Sequence, residues 1–118
     1  MEKIPCICKM RELFLAISRL ENGLVEKYGV SLNEAIVMCC IGSDKVAAGD
    51  ISQATGIKSS NLSKVLRSIE KKGLITRSFG DNDKRQIYFT LTPEAIGRLE
   101  VLKCDGIPIP DMLKSFFK

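Results

Sequence analysis

The sequence predicts a mainly α, α+β domain: a helix-turn-helix and a β-hairpin set between terminal helices. Three features predict it. Apolar residues recur at three-and-four spacing over Cys8–Tyr28 and again over Leu62–Ile69, the spacing that lines one side of a helix. Gly56 separates a short helical pattern from a longer one, as a tight turn between two helices requires. Two short alternating stretches flank the polar turn Gly80–Arg85, which is the pattern of a hairpin.

The first helix is expected over Cys8–Tyr28, with Met10, Leu13, Phe14, Ile17, Leu20 and Leu24 along one side and Gly29 as its stop. Ser31-Leu-Asn-Glu34 reads as a capping box, in which the serine covers a helix amide and the glutamate reaches back. The second helix then spans about Leu32–Ile41, and its nearly continuous apolar character places it centrally. After the turn Gly42–Lys45, Ala48–Thr55 forms a short helix with Ile51 and Ala54 inward, Gly56 as a left-handed stop and Ile57 as the anchor of the turn. The fourth helix follows, with Ser59 or Ser60 as the cap and Gly73 just past its end.

Strands are expected over Leu74–Phe79 and Gln86–Leu91, where Ile75 and Phe79, then Ile87, Phe89 and Leu91, alternate with polar neighbours. Thr92-Pro93 starts a fifth helix, threonine as cap and proline in the first turn, with Ile96, Leu99 and Leu102 as the inner stripe. Gly106, Pro108 and Pro110 break that helix. The remaining segment, 111–118, is amphipathic, with Met112, Leu113, Phe116 and Phe117 along one side. Helices shorter than roughly 12 residues are marginal alone, so this tail must dock on its own core or on a second copy.

Composition narrows the function. A chain of 118 residues with 45% hydrophobic and 27% charged residues is one ordinary globular domain without repeats or low-complexity tracts. The absence of histidine removes imidazole acid–base chemistry, Ser-His and Cys-His nucleophile pairs and the commonest zinc sites. Neither Cys6-x-Cys8 nor the adjacent Cys39-Cys40 has the two-residue gap of a metal knuckle or redox motif. No catalytic pair or phosphate-cradling loop is present, so an enzyme, a metal site and a cofactor are not expected. The odd count of five cysteines, without a secretion signal or membrane span, fits reduced thiols in a cytoplasmic protein with no membrane contact.

The net charge of +4 is unevenly spread. Lys58, Lys64, Arg67, Lys71, Lys72, Arg77, Lys84 and Arg85 face only Glu70, Asp81 and Asp83 between Ile57 and Thr90, while the rest of the chain is slightly acidic. Positive charge concentrated in one third of a chain is the footprint of a surface for polyanions. On a helical wheel of about 100° per residue, Leu62, Val65, Leu66 and Ile69 occupy one side. Ser60, Lys64, Arg67 and Lys71 lie diametrically opposite, flanked by Asn61 and Ser63.

A lysine-rich wet face is by default mere solvation. Here the face carries donors and small hydroxyls with almost no glutamate pairing, and it belongs to a helix-turn-helix, whose second helix enters the major groove of DNA. Serine and asparagine near the helix start allow close backbone approach to a phosphate. Lys64 and Arg67 can reach guanine O6 and N7, a fork worth about 1–3 kcal/mol of discrimination, and Lys71 and Lys72 are placed for the sugar-phosphate rail.

The string "DISQATGIKSSNLSKVLRSIEKKGLITRSFGDNDKRQIYFTLTPEAIGRL" resembles the MarR family of winged helix-turn-helix transcription regulators, over about Ser31 to Leu99. The most specific part is "LRSIEKKGLITR" paired with "DNDKRQIYFTLTPEA". The resemblance implies a winged helix-turn-helix with terminal helices forming a dimerisation region: about 31–92 as the DNA-binding core, about 6–28 and 93–118 as helical dimerisation elements. It implies sequence-specific binding of double-stranded DNA at a pseudo-palindromic operator, as a homodimer. A repressor relieved by an unidentified small ligand or an oxidant is the expected mode.

Carried onto this sequence, the resemblance puts Ser59, Ser60, Asn61, Lys64 and Arg67 at the major groove, with Lys71 at the backbone. Asn82, Lys84 and Arg85 fall in the wing, and Asp83 is structural, bracing one of its basic neighbours. The family often has arginine where Asn82 stands, and here the C-terminal helix is cut short by Pro108 and Pro110. Dimerisation would rest on Leu13, Ile17 and Leu20 with Met112, Leu113, Phe116 and Phe117. Cys6, Cys8, Cys39, Cys40 and Cys104 are candidate oxidant sensors, against which Cys39 and Cys40 lie in the most apolar helix, where cysteine is usually inert. The rival reading is a winged-helix protein-interaction module without a promoter role.

Overall fold

The computed structural model describes residues 1–80 and 85–117. Along the chain run α1 (Cys8–Tyr28), α2 (Leu32–Ile41), β1 (Val46–Ala47), α3 (Ala48–Thr55), α4 (Ser59–Lys71), β2 (Ile75–Phe79), β3 (Ile87–Leu91) and α5 (Pro93–Asp105), then a 3-10 helix over Asp111–Phe117. The fold is a mainly α winged helix in which three antiparallel strands, in the order β1-β3-β2, close one side of a three-helix core. The hairpin register pairs Ile75 with Leu91 and Phe79 with Ile87. β1 pairs Val46 with Phe89; two residues carry no alternation, so sequence patterning could not find it.

The local signals largely decide the elements. Gly29 (φ 70°) and Gly56 (φ 76°) end α1 and α3 in the left-handed region, where a Cβ would be strained. Thr92 caps α5 by accepting from the Ala95 amide, and its own hydroxyl donates to Gly73 O at 2.8 Å. That bond joins the end of β3 to the turn before β2. Val37, Met38 and Ile41 from α2, Ile51 from α3, Ile69 from α4 and Leu74 form the fully buried centre.

Several positions differ from the sequence expectation. Ser59 and Ser60 are the first residues of α4 rather than its cap; Lys58 holds that place without a side-chain cap. Ala54 and Ile96 are exposed, and in α5 the inward line is Ala95, Leu99 and the half-buried Leu102, since it is the Ala95 side of the first turn that meets the core. Phe79, at the outer end of β2, is also exposed. Cys39 is exposed although α2 is apolar, since only one side of that helix meets the core.

α1 divides its apolar residues between two sides. Ala16, Leu20 and Leu24 face inward, where residues 107–112 lie against the helix: Pro108, Ile109, Pro110 and Met112 border the same groove as Leu15 and Ala16. Leu20, expected at a dimer surface, is therefore buried within its own chain. Every residue before Ala16 is exposed, including Met10, Leu13 and Phe14. The radius of gyration is 16.4 Å, against about 13.5 Å for a compact chain of this length.

Glu34 is the one buried charged side chain among the described residues. It completes the predicted capping box, accepting the Ser31 amide at 2.8 Å while its own amide donates to Ser31 Oγ at 3.1 Å. Its carboxylate also accepts from Ser68 Oγ at 2.8 Å and from Lys72 Nζ at 2.7 Å. Lys72 Nζ donates in addition to Gly29 O, at 3.0 Å. Lys72, expected on a phosphate, is thus occupied inside the protein.

Burial pushes the Glu34 carboxyl up, but the Lys72 contact and the bonds from Ser31 and Ser68 outweigh it and hold the group below its ordinary 4.5. A depressed carboxylate stabilises the fold fully above its unfolded value and loses that contribution as pH falls through the folded value. The urea midpoint should therefore drop between about pH 5 and pH 3 more steeply in the native protein than in Glu34→Gln; equal slopes would refute the assignment. Lys72→Met, which strips the buried carboxylate of its cation, should cost about 1–3 kcal/mol in the same measurement.

Candidate nucleic-acid interface

The helix-turn-helix is α3, the turn 56–58 and α4. Side-chain hydroxyls hold its turn: Ser52 Oγ donates to Ile57 O at 2.6 Å, Thr55 Oγ1 donates to Ile51 O at 2.7 Å, and the Ile57 amide donates to Thr55 Oγ1 at 3.2 Å. With Ile57 packed on the core, the angle between the helices is set by both polar and apolar contacts. Sequence spacing indicated the turn but not this bracing.

α4 has four distinct sides. Leu62, Leu66 and Ile69 are buried and Val65 is half-buried, so the apolar stripe lies where the wheel put it. Ser59, Ser60, Asn61, Lys64, Arg67 and Lys71 are all exposed, forming one continuous donor surface. Ser63 Oγ is turned back onto Ser59 O at 3.0 Å. Of the remaining sides, one carries Ser68 and Lys72, bound to Glu34 and Gly29. The other carries Glu70, whose carboxylate accepts two parallel bonds from Arg77 of β2, Nε to Oε2 and Nη2 to Oε1, each 3.0 Å.

The Arg77 guanidinium also lies over the Phe89 ring, 5.8 Å from its centre. The hairpin is thereby fastened to the end of α4 nearest the turn at Gly73. Neither this pair nor the Glu34–Lys72 pair was visible in the sequence, because the partners are 7 and 38 residues apart and no helical period relates them. The capping box was the one available hint that Glu34 mattered.

At the wing, Gly80 N–H donates to Gln86 O at 2.9 Å, closing the base of the hairpin. Arg85 is exposed there. Asn82, Asp83 and Lys84 lie outside the described residues. Among the described residues no group of histidine, cysteine or carboxylate side chains could hold a metal, and no helix is long and apolar enough to cross a membrane. All five cysteines are outside disulfides.

Leu13, Ile17, Met112, Phe116 and Phe117 are exposed and Leu113 is half-buried. The tail packs against α1, with the Phe116 and Phe117 rings edge to face at 5.4 Å. The far end of α1 is tied to the end of α5, where Tyr28 OH and Lys27 Nζ both donate to Gly106 O, at 2.7 and 3.1 Å.

A donor-bearing second helix, a braced turn and a hairpin fastened beside them define a winged helix-turn-helix of the nucleic-acid-binding class. A sequence model of the MarR family matches residues 28–86, half of the chain. The chain belongs to the MarR family, and as a member it is a DNA-binding transcriptional regulator and not an enzyme. No curated protein sequence matches it.

Solved structures share the fold at low identity. The MepR–DNA complex of S. aureus is 19% identical, with a TM-score of 0.75 over 86% of this chain and 77% of that one. AbsC, a MarR family transcriptional regulator from Streptomyces coelicolor, is 19% identical, with a TM-score of 0.73 over 89% and 77%. Reduced AbfR bound to DNA is 21% identical, with a TM-score of 0.72 over 83% and 72%.

Proposed function

We propose that this chain is a sequence-specific repressor that grips a pseudo-palindromic duplex operator as a homodimer and lets go when a small ligand or an oxidant acts on it. The observation that carries the reading is the donor surface of α4, open to solvent along its length and opposite the buried stripe. Two of the similar structures, those of MepR and of AbfR, are complexes with DNA.

In this reading residues 31–92 are the DNA-binding core. Ser59, Ser60 and Asn61 bring the start of α4 against a phosphate, where helix amides and the helix dipole favour an anion. Lys64 and Arg67 read base edges in the major groove, and Lys71 holds the backbone. Asn82, Lys84 and Arg85 form the wing contact, with Asp83 bracing it. A dimer whose reading heads sit about 34 Å apart covers two successive major grooves on one side of the duplex. Occupying a promoter in that way blocks polymerase, hence repression.

Residues 6–28 and 93–118 are the dimerisation elements. Support comes from the exposed apolar residues in the first half of α1 and the exposed rings of the tail, the kind of side chains a closed two-fold interface covers. Release by an effector is supported by the open groove of about 590 Å³ between α1 and residues 108–112 and by the exposed thiols of Cys6, Cys8, Cys39 and Cys104. A ligand in that groove, or an oxidised sulfur at Cys6, Cys8 or Cys104, would act on the elements that set the spacing of the two heads.

Titration of the purified protein against genomic fragments, then against the selected site, tests the reading. Specific binding should exceed binding to random duplex by at least about 10³-fold, with log affinity falling by about 0.9 per log salt for each phosphate contacted. Weak, unselective binding would instead favour the protein-interaction module. Arg67→Ala should relax discrimination at one base position of each half-site at a cost of about 1–3 kcal/mol, whereas Lys71→Ala should weaken all sequences alike. Elution from a sizing column at the monomer mass of 13.1 kDa would contradict the homodimer.

A further inference from the structure

α4 is gripped from both sides by ion pairs that lie away from its donor surface. Residues two apart on a helix are separated by about 200°, so Glu70 and Lys72 project from nearly opposite flanks. The Lys72 flank is bound to Glu34 at the start of α2 and to Gly29 O at the end of α1. The Glu70 flank is bound to Arg77 of β2. The core stripe sits below and the donor surface above.

Apolar packing of Leu62, Leu66 and Ile69 seats α4 on the core, but it is non-directional, whereas hydrogen-bonded ion pairs on the flanks are directional. Two ion pairs pulling on opposite flanks resist roll in either sense, and both sit in the last turn, far from the donors at the start. Arg77 uses two parallel bonds to one carboxylate, a geometry that fixes orientation as well as distance. The pair is half-exposed, its side chains at 45% and 33%, so solvent screens part of its contribution to stability while the two-point geometry still fixes orientation.

We infer that Glu70, with Arg77, and Lys72, with Glu34, are positioning residues that set the roll of the recognition helix and hence the aim of Lys64 and Arg67, without touching DNA themselves. The inference rests on the proposed DNA reading by α4. Because Lys72 also holds the carbonyl that ends α1, the same pair links the reading head to the arm proposed for dimerisation. Specificity in this protein then depends on an acidic residue, Glu70, that a purely electrostatic account would regard as a hindrance to binding.

A charge swap at the Glu70–Arg77 pair separates the two accounts. Glu70→Arg, Arg77→Glu and the double exchange are compared with the native protein for affinity to the selected operator and to random duplex, at matched salt. If only charge matters, Glu70→Arg tightens both and the double exchange leaves both as they were. With positioning, Glu70→Arg loses about tenfold in the ratio of specific to random affinity despite its added positive charge, and the double exchange recovers most of that ratio.

Thermal midpoints of Glu70→Arg and the double exchange should stay close to native, which keeps a folding defect from imitating the result. Lys72→Met, assayed at a temperature where its circular dichroism is native, should also lower the ratio while leaving the salt slope unchanged. A slope reduced by about 0.9 would instead make Lys72 a phosphate contact. A Glu70→Arg protein with native or improved discrimination overturns the inference. A native protein that shows no specific excess overturns the DNA-reading proposal itself, before any variant is compared.

Discussion

The buried carboxylate of Glu34 is the constraint around which the helices are arranged. It caps the helix it begins and receives a hydroxyl and an ammonium group from α4, and the same ammonium group reaches the carbonyl that ends α1. An ionised carboxylate 4% exposed is tolerable only if its lone pairs are met, and here three donors meet them. The consequence is geometric: α1, α2 and α4 cannot be moved independently without exposing that charge. A helix dimer of hydrocarbon side chains would have no such requirement.

The division of α4 into four sides follows from this. Its apolar side is consumed by the core, and its two flanks are taken by Glu34 and by Arg77. Ser68 and Lys72 on one flank and Glu70 on the other are bound within the protein, and the exposed strip between them carries serine, asparagine, lysine and arginine. That strip has few internal partners because acceptors near it are committed elsewhere: Glu70 to Arg77, Ser59 O to Ser63. A surface rich in donors and free of carboxylates is suited to a ligand rich in acceptors, as phosphates and the O6/N7 edge of guanine are.

The other end of the molecule is organised differently. Along the first half of α1 the charged Lys9, Arg11 and Glu12 are exposed together with the apolar Met10, Leu13, Phe14 and Leu15. The extended arm explains the large radius of gyration. After α5 ends at Asp105, residues 108–112 lie along α1, with Ile109 and Met112 bordering the same groove as Ala16. Head and arm meet at the end of α1, where Lys72, Arg98 and Tyr28 make their backbone contacts.

Local chemistry decided much of this protein without help from its fold. Cys8–Tyr28, Leu32–Ile41 and Ala48–Thr55 were legible to the residue, because periodicity, the Ser31–Glu34 box and glycines at positive φ act within a few residues of chain. The open donor side of α4 was legible too, since on a strongly amphipathic helix the buried stripe fixes where the opposite side points. Tertiary structure alone decided the strand Val46–Ala47, the burial of Leu20, the outward turn of Ile96, and the diversion of Lys72 from a phosphate to Glu34. Each of those depends on a partner far away in the chain. A lysine next to Lys71 looks the same in sequence whether a carboxylate waits beside it or water does.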